Sequence, residues 1–120
     1  MSASPASPSR GEIWRVNFDP TIGSEIKKTR PAVVISSDAV GKLPVKLIVP
    51  VTNWDEVFAQ NFWHIRIEPD SLNGLSKTSA ADALQIRCAD RQRFIEKMGR
   101  VSPAILEEIV AAVAAVVEHQ

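Results

Sequence analysis

The sequence predicts a mainly β (α+β) domain, a small curled sheet closed by one C-terminal helix. Three observations carry that expectation. Short apolar segments follow one another with turn formers between them. No helical pattern separates them, which argues against a parallel sheet with crossover helices. The one sustained helical periodicity lies at the end of the chain, behind a good N-cap. At 120 residues and 45% hydrophobic, the chain holds one domain with enough apolar material for a sizeable core.

The first ten residues, rich in Ser, Pro and Ala, lack both the basic and the apolar region of a secretory signal. They read as a disordered leader, which leaves the domain to 11–120. Glu12 to Phe18 alternates Trp14, Val16 and Phe18 against Arg15 and Asn17, a half-buried strand with Ile13 off the pattern. Asp19-Pro20 and Gly23 open a connecting loop. Ala32 to Ile35 is short, β-branched and bounded by turn formers, as in a buried central strand. Leu47 to Thr52 is a third strand, with Pro50 pointing to an edge or a bulge. Asn53 to Asn61 is a polar loop carrying Trp54 and Phe58, and Phe62 to Glu68 alternates again. A turn-rich stretch around Asn73-Gly74 leads to a fifth apolar segment, Ala80 to Cys88, and a short strand near Met98 to Val101. Ser102 then caps a helix that has Pro103 in its first turn and an apolar face running from Ile105 to Val117.

Fourteen basic residues balance fourteen acidic ones, so a bulk electrostatic nucleic-acid binder is disfavoured, although local basic patches remain. No apolar run is long enough to span a membrane. One cysteine, Cys88, rules out a disulfide framework and makes a reducing, cytoplasmic compartment the default. With two separated histidines beside it, no ligand set for a metal emerges. Cys88 lies in an apolar run and reads as a small core residue, and His64 as a satisfied or exposed strand histidine.

What remains is polar chemistry at strand ends. Arg30 precedes Pro31, which steers its backbone to an extended conformation and gives its side chain a defined direction. A guanidinium held that way either grips a phosphate or pairs with Glu25 on the surface. Thr52 places a hydroxyl at a strand end, for chemistry or for a local backbone bond. Trp54 either stacks a base or packs under its own loop.

Gly11-Glu12-Ile13-Trp14, Asn17 to Glu25, and Thr29-Arg30-Pro31-Ala32-Val33-Val34-Ile35-Ser36, followed by Val49-Pro50-Val51-Thr52 and Gln85-Ile86-Arg87, resemble the MazF/PemK family of toxins from toxin–antitoxin modules. The resemblance implies an SH3-like or plasmid-maintenance-toxin barrel and a homodimer. It further implies a sequence-specific, metal-independent endoribonuclease, without cofactor, that cleaves single-stranded mRNA. Arg30 and Thr52 match the catalytic pair. Glu25 is assigned to support, by orienting Arg30, and Lys27, Lys28, Asn53, Trp54, Gln85 and Arg87 to RNA contacts. The implied partner is a cognate antitoxin whose acidic C-terminal tail blocks the RNA groove. Two departures stand out. Lys27 and Lys28 occupy a stretch where the family often has a glycine, so this stretch should be stiffer and more basic. Leu84 precedes Gln85 where the family often has a carboxylate, and Asp82 does not replace it by spacing.

A nuclease with these residues fits attack by the RNA's own 2′-OH, giving 2′,3′-cyclic phosphate and 5′-hydroxyl ends. From a different class, a CcdB-like gyrase poison would share the shape while leaving Arg30 and Thr52 dispensable. A family member that binds RNA or antitoxin without cutting is the third reading.

Overall fold

The computed structural model describes residues 7–40 and 43–119. Its strands are β1 (Glu12–Asn17), β2 (Thr29–Val34), β3 (Val45–Asn53), β4 (His64–Ile67), β5 (Ser79–Asp82), β6 (Arg87–Asp90) and β7 (Phe94–Arg100), followed by helix α1 (Pro103–Val116). All pairings are antiparallel and run β4–β5–β3–β2–β1–β7, with β6 also on β3. Strands β4 and β7 do not pair with each other, so the sheet curls without closing into a full barrel.

Strand β3 organises the sheet. On the side away from β2, its residues Val45–Ile48 pair with β6 and Val51–Asn53 with β5. Pro50 falls in the gap. Because Ile35 N donates to Leu47 O, the alternation of the ladder turns the Pro50 nitrogen away from β2 and toward that gap, where no N–H is required. Pro50 therefore sits in a central strand, not at the expected edge or bulge. The same gap explains why Ala80 to Cys88 is two strands instead of one. A 3₁₀ turn at Ala83–Gln85, capped by Asp82 Oδ1 accepting from Leu84 N at 3.1 Å, shifts the chain from the β5 position to the β6 position along β3.

The two-residue pleat divides the apolar residues between two cores. Ile13, Val33, Val49, Val51, Ile67 and Ala81 face α1, where Ile109 is fully buried among them. Trp14, Val16, Phe18, Ala32, Val34, Ile48 and Ala89 form a second cluster on the opposite face. Ile13, off the alternating pattern in sequence, thus belongs to the helix-side core, and β1 is buried on both faces at its start. Ser102 Oγ accepts from Ile105 N at 3.2 Å and caps α1 as expected. No helix among the described residues is long and apolar enough to cross a membrane.

Residues 1–6 of the expected leader lie outside the described residues, as does residue 120. Its last part is packed: Pro8 is buried, Ser9 N donates to Glu12 Oε1 at 2.8 Å, and Arg10 Nη1 donates to Ile35 O. The packed body therefore begins before Gly11.

Two stability predictions arise here. The Asn73-Gly74 turn lies flat against β7, and a Cβ on Gly99 would overlap the Leu72 carbonyl oxygen. That oxygen is already engaged by Arg100 N at 2.9 Å. Gly99→Ala should lower unfolding stability by about 3 kcal/mol, because backbone must move to admit the methyl group; urea denaturation measures it. The second concerns Glu12. Burial pushes its carboxyl up, but hydrogen bonds from Trp14 Nε1 and Ser9 N, together with the Lys97 ammonium, outweigh burial and hold it below its ordinary value of 4.5. A lowered folded pKa stabilises the fold above the ordinary carboxylate range, and that stability is lost as pH falls through the folded value. Glu12→Gln should therefore be less stable than the parent at neutral pH. The difference should shrink in acid, read from urea midpoints across the pH range.

Candidate functional site

Arg30 is the second residue of β2, opposite Val16 of β1. The β1–β2 loop that leads to it is closed at its neck by Phe18 N donating to Lys28 O at 2.9 Å. Lys28 N in turn donates to Asp19 Oδ1 at 3.0 Å. Lys28 adopts φ 67°, the left-handed region, where a Cβ costs roughly 1–2 kcal/mol. This is a physical reason for a glycine in this stretch, and here the two neck bonds hold a lysine in that conformation instead.

Strands β2 and β3 pair Val34 with Ile48, Val33 with Val49 and Ala32 with Pro50. The ladder ends with Ala32 opposite Pro50; by alternation Arg30 and Thr52, each two residues farther along its strand, fall on the face and at the end that this pair shares. Both residues are half-buried. Among the described residues, neither side chain makes a hydrogen bond or ion pair within the fold, so a guanidinium and a hydroxyl are presented together and unspent. The local backbone bond open to Thr52 is not made.

An open cleft of about 700 Å³ lies along this face; Pro50, two residues before Thr52, is in its lining, and Arg30 and Thr52 themselves lie outside it. One wall is the loop, with Phe18, Glu25 and Ile26; the other carries Gln85 and Arg87, and Pro50 lies between. Glu25 Oε1 accepts from Ile22 N at 2.6 Å, a bond within its own loop. It forms no ion pair with Arg30, so the expected orienting contact is absent from this arrangement. Lys27 and Lys28 are exposed on the loop, and Asn53 is exposed at the end of β3. Arg87 donates to Phe18 O at 3.4 Å and lies over the Phe18 ring. Trp54 packs under its own loop: its Nε1 donates to Glu56 Oε1, Phe58 meets it edge-on, and the Arg66 guanidinium lies 5.2 Å over it. Cys88 is exposed on the cleft wall and not in the core, because β6 turns Ala89 inward and Cys88 outward.

One polar chain escaped the sequence reading. His64 stacks on Phe58 with ring centroids 3.9 Å apart, its Nδ1 lies 3.2 Å from Asn61 Nδ2, and its Nε2 lies 3.6 Å from Asp82 Oδ2. Both side chains of the His64–Asp82 pair are largely buried. The pair follows from the β4–β5 register, which sets His64 opposite Asp82, and the periodicity of each strand alone could not reveal it. Gln85 Nε2 lies 3.3 Å from the same Asp82 oxygen. Among the described residues, no three His, Cys, Asp or Glu side chains gather as a metal-binding group.

Comparison with known proteins gives a consistent picture. Residues 9–117 match the family described as PemK-like, MazF-like toxin of type II toxin-antitoxin system. The chain is 36% identical over 106 residues to Endoribonuclease MazF9 of Mycobacterium tuberculosis, covering 83% of this chain and 87% of that protein. It is 35% identical over 107 residues to Endoribonuclease PemK of Escherichia coli, covering 84% and 75%. Among solved structures, MazF from Deinococcus radiodurans (Form-I) superposes with a TM-score of 0.80 at 23% identity, over 95% of this chain and 99% of that one. An endoribonuclease in complex with its cognate antitoxin from a mycobacterial species superposes at 0.76 with 18% identity, over 95% and 98%. At those identities the structural likeness is one of fold.

Proposed function

The chain belongs to the PemK-like, MazF-like toxins of type II toxin–antitoxin systems and is an endoribonuclease of that family; we propose that it cuts single-stranded mRNA at a preferred sequence, with Arg30 and Thr52 at the scissile phosphate. The observation that carries the assignment is the shared sheet face at the end of β2 and β3, where an unpaired guanidinium and hydroxyl stand beside an open cleft.

The chemistry follows from those two groups. The 2′-OH preceding the scissile phosphate attacks phosphorus as the P–O5′ bond breaks. Overall its proton passes to the leaving 5′-oxygen, through a base that these two groups do not supply, and negative charge builds on the non-bridging oxygens. Arg30 stabilises that charge with a planar pair of N–H donors, and Thr52 donates one hydrogen bond to a non-bridging oxygen. Guanidinium stays protonated, so Arg30 serves as the electrostatic stabiliser and as a donor toward the leaving 5′-oxygen, not as the base. Thr52→Val keeps the branched shape and deletes the hydroxyl. It should lower kcat roughly tenfold or more without unfolding the protein, the worth of one hydrogen bond to a charged group. Single-turnover cleavage assays measure it, and an unchanged rate would leave Thr52 a plain strand residue.

The cleft that takes RNA would equally take an acidic antitoxin tail, which presents carboxylates to Arg87 and the loop lysines. A homodimer is part of the same reading. Val117 is exposed at the end of α1 and much of the helix's apolar surface is only partly covered within one chain. A cytoplasmic location belongs to the same reading, supported by the single cysteine and by the proposed mRNA substrate. The decisive experiment incubates the purified protein with a long single-stranded RNA in excess EDTA. Discrete cuts recurring at one short sequence are expected. RNA left intact with EDTA and cut on adding magnesium would overturn the metal-independent mechanism, and RNA left intact in both conditions would overturn the nuclease reading.

A further inference from the structure

Gln85 joins the two walls of the cleft. Its Oε1 accepts from Ile26 N at 2.6 Å, and its Nε2 lies 3.4 Å from Ser24 O. Both partners are backbone groups of the β1–β2 loop, about sixty residues away in sequence. A free glutamine amide could present either end to Ile26 N. Here Asp82 decides: its carboxylate accepts from the Gln85 amide nitrogen, which turns the carbonyl oxygen toward the Ile26 N–H. Asp82 is itself fixed by Leu84 N on one oxygen and by His64 beside the other, and His64 is locked between Phe58 and Asn61. A polar chain, buried at His64 and Asp82 and half-buried at Gln85, therefore runs from the β4 edge to the loop, with Gln85 as its last link.

We propose that Gln85 is a positioning residue. It clamps the β1–β2 loop and so holds Lys27 and Lys28, the two residues following Ile26, beside the cleft to meet RNA phosphates. This rests on the endoribonuclease reading above and replaces a direct RNA contact for Gln85 with an indirect one. The division between loop and strand sets the kinetic signature. Arg30 and Thr52 are held by β2 and β3, which the clamp does not touch, whereas the lysines ride on the loop. Freeing the loop should weaken RNA binding and spare the chemical step.

The test uses Gln85→Ala, the double variant Lys27→Ala/Lys28→Ala, and the triple variant, with a short single-stranded RNA carrying one cleavage site. Gln85→Ala should raise KM roughly five- to twentyfold with kcat within about twofold. Adding it to the lysine double variant should change KM no further, because the clamp acts through those lysines. Hydrogen exchange should show the Ile26 amide exchanging faster in Gln85→Ala while amides of β2 and β3 stay protected. Unchanged exchange at Ile26 overturns the clamp, and it can be read whether or not RNA is cut. An additive effect in the triple variant overturns the indirect role in favour of direct contact. A fall in kcat at unchanged KM overturns the proposal as well. Wild-type protein that fails to cut RNA instead overturns the nuclease reading, and the clamp's RNA role goes with it.

Discussion

Replacing Arg30 with alanine should leave the fold intact and lower RNA cleavage a hundredfold or more. The fold is safe because Arg30 makes no side-chain hydrogen bond or ion pair among the described residues, so truncation strands no buried partner. Its backbone remains fixed by the pairing with Val16 and by the following proline. Stability should change by no more than about 0.5 kcal/mol, as for a partly exposed polar position. The activity is another matter. The phosphorane carries an extra negative charge, and Arg30 is a cation held by strand backbone with no partner in the fold, whereas Arg87 of β6 is engaged by the Phe18 carbonyl and ring. Arg30→Lys sharpens the point: it keeps the charge but loses the planar fork, and should recover only part of the rate. Equal thermal unfolding of Arg30→Ala and parent, with single-turnover rates differing at least a hundredfold, is the expected result. A folded Arg30→Ala protein that cuts at the parent rate would remove Arg30 from the mechanism.

Arg30 and Thr52, the proposed catalytic pair, stood out in sequence through the resemblance of Thr29-Arg30-Pro31 and Val49-Pro50-Val51-Thr52 to the toxin family. The residues alone gave only an extended backbone at Arg30, set by Pro31, and a hydroxyl at a strand end. The β2–β3 register then does what alternation in each strand predicts and sets both on one face. Strands β1 and β4 and the C-terminal helix were legible from periods of two and of 3.6 within one segment, and β2 and β3 from short β-branched runs; β7 begins at Phe94, four residues before the strand expected near Met98 to Val101. What could not be read depends on pairing between segments. Pro50 reads as an edge residue until β6 and β5 are seen to share one side of β3 and leave a gap there. Ala80 to Cys88 reads as one strand until that gap demands a turn within it. Gln85 reads from the family resemblance as an RNA contact, and only the folded loop supplies the Ile26 N–H from which it accepts. Asp82 and His64 are ordinary strand residues separately and become a buried pair through register alone. Glu25 is the converse case. Its sequence proximity to Arg30 implied an ion pair, yet the turn from Ile22 to Glu25 takes its carboxylate for a local backbone bond.

A single 2′-deoxy substitution immediately 5′ of the scissile phosphate should stop cleavage completely while leaving RNA binding intact. A water nucleophile would need a group to deprotonate it or a metal to acidify it. Of the unspent polar groups at this end of β2 and β3, those proposed to meet the phosphate are a guanidinium, which stays protonated, and a threonine hydroxyl; the Thr29 hydroxyl and the Asn53 amide beside them are no better as bases. His64, the imidazole that could serve as a base, is occupied between Asn61, Phe58 and Asp82. Such a site stabilises charge well and generates a nucleophile poorly. An adjacent 2′-OH needs little generating, because the ribose already holds it next to phosphorus, and intramolecular placement of this kind is worth about 7–11 kcal/mol of barrier. Removing that one oxygen removes the nucleophile but leaves every phosphate, base and backbone contact in place, so affinity should hold while rate vanishes. The products carry the same information: a 2′,3′-cyclic phosphate on the upstream fragment and a 5′-hydroxyl on the downstream one, read by mass spectrometry. A downstream 5′-phosphate, or cutting of the deoxy-substituted RNA, would show that water attacks. Arg30 and Thr52 would then be stabilising a hydrolysis whose base lies elsewhere in the cleft.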